Sequence, residues 1–287
     1  VYCARDSSPV LDHCTIAGNW AAKLPELTAN CQPPGGSASG VFTDVLFATI
    51  NANGTIGAWN STSALPSGRA ALAAVAYDNF LYVLGGSPNA QSGLTDVLVA
   101  PINANGSVGS WVSTASFPSA RYALAAVAFG GHLYAIAGTP SPQWGLSQVL
   151  YSAINADGTL DGWTQTSSLP SGRYFFSAGV HNGHVYALGG LTNGYFSDVL
   201  VSRINADGTL GSWTTTTSLP TVRTAHTSVL VDGFLYAIGG YNGSYLATVL
   251  MAVVDADEDG VNQAPALLKG EASYLFDVGA DSHRHRL

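Results

Sequence analysis

From Arg69 onward the chain reads as apolar runs cut by short polar breaks. "RAALAAVAYDN" (69–79) is apolar almost throughout and ends in a polar pair. "FLYVLGG" (80–86) is a second apolar run, closed by two glycines. A variable stretch (87–94) follows, then a third run, "TDVLVAPI" (95–102). "NANG" is a turn and "SVGSW" (107–111) a fourth run. A Ser/Thr-rich stretch with Pro118 leads to Arg121, where the order restarts. Short runs of β-branched, aromatic and aliphatic residues between turn dipeptides predict four antiparallel strands per unit. The first run has no polar face, which predicts a strand covered on both sides. One four-stranded sheet cannot cover two apolar faces, so similar sheets must cover one another in a stack or a ring.

The unit repeats. "INANGTIGAW" (50–59) returns as "INANGSVGSW" (102–111), "INADGTLDGW" (154–163) and "INADGTLGSW" (204–213), so Trp59, Trp111, Trp163 and Trp213 are 52, 52 and 50 residues apart. A fixed period of this length marks a repeat architecture. Asn53-Gly54, Asn105-Gly106, Asp157-Gly158 and Asp207-Gly208 supply positive φ for a tight turn in each copy. Arg69, Arg121, Arg173 and Arg223 occupy one repeat position. Identical residues at one position of every unit predict a structural role: arginines bonding carbonyls or a carboxylate on the neighbour, tryptophans packing between units.

The order Arg, apolar run, "LYxxGG", strand, turn, Trp, Pro and Arg resembles the kelch repeat. It recurs at "LYVLGG", "LYAIAG", "VYALGG" and "LYAIGG", with Ala137 in place of the first glycine in the second of these. The resemblance covers roughly residues 35–255. It implies an all-β fold, a β-propeller of kelch-like four-stranded blades. The third strand occurs five times, near 43–50, 95–102, 147–154, 197–204 and 247–254, which predicts five blades. Residues 1–34 form an irregular Cys-containing segment and 256–287 a C-terminal segment, both outside the repeat. "SPVLDHCTIAGN" (8–19) and "EASYLFDV" (271–278) are the candidate extra strands. They either close the ring within the chain or complete a blade in a neighbouring molecule by strand addition, which builds filaments when it does not close.

Composition narrows the function. Hydrophobic residues make up 47% and charged residues 10%, with net charge −8. Four of the ten Lys and Arg are the repeat arginines, so no basic cluster remains to neutralise phosphates, and a nucleic-acid partner is excluded. No apolar run is long enough for a helical membrane span. The hydroxyl-rich, weakly charged surface points outside the cell. The chain opens on Val1 and its single methionine is Met251, which reads as a processed, secreted form. Cys3, Cys14 and Cys31 all lie near the N-terminus; one disulfide and an odd thiol are expected there, with the pairing open.

The run "DADEDG" places Asp255, Asp257 and Asp259 as alternating carboxylates before Gly260, a pattern for calcium. It also aligns with the "INADG" turn of the other units, and the bidentate Glu of a calcium loop is replaced by Ala266. The variable loops 87–94, 139–146, 191–197 and 241–247 emerge on one face of a propeller. They carry Trp144, Tyr195, Phe196, Tyr241 and Tyr245, a candidate binding surface for protein or glycan, or ordinary loop packing. Some kelch propellers are enzymes, including copper oxidases and sugar epimerases. The oxidases use a Cys-linked Tyr, and no cysteine lies in these repeats. Glu26, Glu258 and Glu271 all fall outside the repeat cores, which argues against an epimerase, and no triad is suggested. The expectation is a non-catalytic extracellular protein: a self-assembling subunit of a filament or surface layer, partnered by its own copies or another extracellular protein. The alternative is a carbohydrate-binding adhesin.

Overall fold

The computed structural model describes residues 13–16 and 41–254, apart from positions 52, 143 and 232. The described residues form five antiparallel sheets, each a propeller blade. Blade one holds β1 (His13–Ile16), β2 (Leu46–Thr49) and β3 (Asn60–Ser61). Blade two holds β4 (Ala73–Tyr77), β5 (Phe80–Leu84), β6 (Val97–Pro101) and β7 (Val112–Ser113). Blade three holds β8 (Ala125–Phe129), β9 (His132–Ile136), β10 (Val149–Ala153) and β11 (Thr164–Thr166). Blade four holds β12 (Ser177–His181), β13 (His184–Leu188), β14 (Val199–Arg203) and β15 (Thr214–Thr216). Blade five holds β16 (Thr227–Val231), β17 (Phe234–Ile238) and β18 (Val249–Val253). In blade one, β1 pairs with β2, with Cys14 opposite Ala48.

Two turn chemistries build each blade. The first hairpin closes on two residues with positive φ: Asp78-Asn79 in blade two, Gly130-Gly131 in blade three and Asn182-Gly183 in blade four. This is the turn whose twist matches paired strands. The repeated Asn/Asp-Gly turn works differently from the sequence expectation. Only its glycine takes positive φ, as at Gly106 (φ 82°). The residue before it spends its side chain instead: Asn105 Oδ1 accepts from the Ser107 N–H at 3.0 Å, and Asp207 Oδ1 from the Thr209 N–H at 3.0 Å. The side chain thus caps the turn that the glycine allows.

The core lies between blades, as the two-sided apolar strands require. The Val97 and Val99 face of blade two packs on Leu133, Leu150 and Leu160 of blade three. Val149 of blade three meets Leu200 and Leu210 of blade four, and Val199 and Val201 of blade four meet Leu235 and Leu250 of blade five. Val45 and Leu65 of blade one join Leu81, Leu98 and Val108 of blade two. Each blade therefore offers a Val-type face to the next blade's Leu-type face. Main-chain bonds repeat the same order at the inner rim. Ala123 N donates to Ala71 O at 2.7 Å, Phe175 N to Ala123 O at 2.9 Å and Ala225 N to Phe175 O at 2.8 Å. All four residues sit at φ near +50°. That is costly for a side-chain-bearing residue, of order 1 kcal/mol or more each, and holds only where the surroundings dictate it.

Candidate functional site

The four repeat arginines are almost fully buried. Their main chains join the preceding blade: Arg121 N donates to Leu94 O and Arg173 N to Leu146 O, both at 3.0 Å. Their side chains bond their own blade rather than the neighbour. The main-chain edge that pairs with the preceding blade directs the side chain the other way, into the blade that follows. Arg69 Nη1 donates to Gly85 O at 3.1 Å, and its two Nη atoms hold Asp96 at 3.0 and 2.8 Å. Arg173 repeats this with Gly189 O at 3.1 Å and Asp198 at 2.8 and 2.9 Å. Such two-pronged contacts are the strong geometry for a guanidinium. Phe196, whose ring centre is 4.5 Å from the Arg173 guanidinium, covers that arginine. It belongs to this clamp rather than to an open binding surface.

The clamp alternates. Gly85 and Gly189 N–H groups donate to Asp96 O and Asp198 O; at the same place Ala137 N meets Gln148 O and Gly239 N meets Thr248 O. So Arg121 faces Gln148 Oε1 at 2.8 Å, and among the described residues Arg223 faces no carboxylate. Arg223 keeps Gly239 O at 3.0 Å and Thr221 Oγ1 at 3.5 Å. Burial lowers the Arg121 pKa to about 10 and also lowers that of Arg223. This alternation stood in the sequence, but nothing there tied Thr248 to Arg223.

The tryptophans are inter-blade ties. Trp111 Nε1 donates to Ser63 O at 2.9 Å, Trp163 to Ala115 O at 2.7 Å and Trp213 to Ser167 O at 2.9 Å. Three residues earlier, Val108, Leu160 and Leu210 N–H groups each donate to a threonine hydroxyl (Thr62, Thr114, Thr166) of the preceding blade at 2.7 Å. Trp59 departs from the set. Among the described residues it makes no such bond, and it is 47% exposed. Its neighbours follow: Ile56 is 52% exposed where Val108 is 3%, and Leu46 40% where Leu98 is 3%. At the other end, Val249 and Met251 of blade five are 61% and 38% exposed where Val199 and Val201 of blade four are 3% and 6%. Among the described residues, the two end blades thus expose the two faces that elsewhere pack together.

The loop aromatics fall into separate places. Tyr195 of blade four meets Tyr241 of blade five edge to face at 6.1 Å, and Tyr241 meets Tyr245 at 5.4 Å. Tyr245 is 74% exposed. Trp144 is exposed on the 139–146 loop, where Thr139 Oγ1 donates to its carbonyl at 2.6 Å, and it joins no ring contact among the described residues. Asp255, Asp257 and Asp259, with Cys3 and Cys31, lie outside the described residues. Among those described, no group of His, Cys, Asp and Glu could hold a metal ion, and no helix is long and apolar enough to cross a membrane.

One buried polar pair escaped the sequence reading. Ser177 Oγ lies 2.8 Å from His226 Nε2, and His226 Nδ1 has no partner among the described residues. Burial, with the Arg223 charge, lowers the His226 pKa to about 4. In the other blades Leu72, Leu124 and Phe176 stand at this position, each against a glycine of the pair that Gly240 represents here. A reading that compared every histidine with its repeat counterparts would have singled it out.

Antiparallel blades packed face to face, four of them each held by one buried arginine, define a kelch-type propeller. The family model of the KLHDC2/KLHL20/DRC7 Kelch-repeats domain matches residues 35–240, and the chain belongs to the kelch-repeat family. Such a propeller is a protein-interaction domain, generally a non-catalytic scaffold. Among curated proteins, no relative matches the chain.

Proposed function

We propose that this chain is a non-catalytic extracellular interaction protein that assembles head to tail through its end blades. The carrying observation is the pair of open faces. Blade five offers Val249 and Met251; blade one offers Leu46, Ile56 and Trp59. These are the Val-type and Leu-type faces that pack at every internal junction. Apolar surface of this kind marks an interaction site. A contact joining opposite ends of one molecule propagates unless rotation closes it. The low charge of the sequence and its hydroxyl-rich surface support a place outside the cell.

Light scattering on the full chain tests this. The expected result is a mass that grows with concentration, and Trp59→Asp returning it to 29.5 kDa. A wild-type mass of 29.5 kDa at every concentration sinks the assembly and leaves closure within one chain.

A second reading rests on the tyrosines. Tyr195, Tyr241 and Tyr245 form a contiguous aromatic cluster across two blades, a platform for a sugar ring or a partner's apolar side chain. On this reading Tyr245→Ala lowers affinity for a bound glycan roughly tenfold, about 1.4 kcal/mol, without moving the melting temperature. A glycan array with no binder counts against it.

A further inference from the structure

We propose that blade five carries a carboxylate-binding site, in which an acidic saccharide or similar small carboxylate completes the clamp that Thr248 leaves open on Arg223. This does not depend on assembly. In blades two and four the arginine is closed by an aspartate held through two oxygens. In blade five the main chain is in the same place, with Gly239 N–H on Thr248 O at 2.9 Å, but the side chain is short and neutral. Arg223 is 1% exposed and has no carboxylate partner among the described residues, although burial of an unpaired cation is costly. The carboxylates of Asp96 and Asp198 are 33% and 28% exposed, so the space they fill opens to solvent. Thr248 is exposed too. A ligand carboxylate entering from that side meets the Arg223 guanidinium as an aspartate would.

The surroundings indicate what the carboxylate is attached to. Arg223 N–H donates to Phe196 O at 3.0 Å, and Thr224 exchanges two main-chain bonds with Tyr241 at 2.9 Å. The site therefore lies at the root of the loops that carry Tyr195, Tyr241 and Tyr245. An acid with a ring body would set its planar carboxylate on Arg223 and its body toward the tyrosines. Orphaned His226 Nδ1 lies nearby, close enough for the Arg223 charge to depress that histidine. A bound anion would offset that charge and raise the histidine's pKa, which gives a signal separate from stability.

The test uses the full chain with sodium acetate and sodium glucuronate, against sodium chloride at matched ionic strength. Expected at saturation is a rise in melting temperature of roughly 5 °C and an upward shift in the His226 imidazole titration followed by NMR. Thr248→Asp should raise the melting temperature by itself and abolish the response to both acids; Thr248→Ala should retain it. Glucuronate acting at tenfold or more below acetate assigns an acidic sugar, and equal potency assigns the carboxylate alone. A wild-type chain that answers neither acid overturns the site, as does Thr248→Asp that still answers them.

Discussion

Arg173→Ala is expected to lower the melting temperature by roughly 12 °C, a loss of about 4 kcal/mol at about 3 °C per kcal/mol for a domain of this size. The side chain is fully buried. Its removal leaves a cavity under Phe196 and takes the donor from Gly189 O. Asp198 loses its partner but is 28% exposed and can turn to water, so most of the cost comes from packing and the orphaned carbonyl. Asp198→Asn should cost far less, about 1 kcal/mol, because an amide oxygen already serves Arg121 through Gln148. Thermal melts of both variants decide the matter. If Asp198→Asn is as damaging as Arg173→Ala, the ion pair and not the buried fork holds the blade.

What the sequence made legible was whatever recurs locally. Strand order, the glycine pair and the arginine, tryptophan and Asn/Asp-Gly positions are carried by neighbouring residues and repeat in register. What it hid were contacts between distant segments. Trp163 donates to Ala115, 48 residues away, and Leu160 to the Thr114 hydroxyl, 46 away. The threonines looked like ordinary members of a Ser/Thr-rich stretch. The positive φ of Ala71, Ala123 and Ala225 was equally hidden, since alanine gives no sign of the left-handed region. There the inter-blade bonds override local preference.

The candidate site divides by the same logic. Tyr195, Tyr241 and Tyr245 were recognisable as loop aromatics, and the fold brings them together because consecutive loops leave consecutive blades on one face. Phe196 followed the same rule in sequence yet points inward to Arg173, because adjacent residues in an extended segment face opposite sides. The exposure of Trp59 was invisible in letters. Its string matches the other three copies, and only the absence of a described blade before it distinguishes it.

His226 should make the protein acid-labile, and His226→Leu should remove that lability. The imidazole is buried beside Ser177 with Nδ1 unpartnered, and burial together with the Arg223 charge lowers its pKa to about 4. In the unfolded chain a histidine titrates near 6.5. Between those values the unfolded state binds the proton and the folded state does not. Stability is therefore at its full value above pH 6.5 and falls as pH drops toward 4, below which this contribution levels off. The loss is about 3 kcal/mol over that window, from a difference of about 2.5 pH units at 1.36 kcal/mol each. Leucine is the natural test residue because Leu72 and Leu124 fill the same place in blades two and three. Melting temperatures at pH 7 and pH 4 should then differ by roughly 10 °C more for the wild type than for His226→Leu. Protonation of carboxylates is common to both chains and cancels in that comparison. Equal falls for the two proteins would show that the histidine is hydrated or partnered in solution, and that its neutral form contributes nothing to the hold between blades four and five.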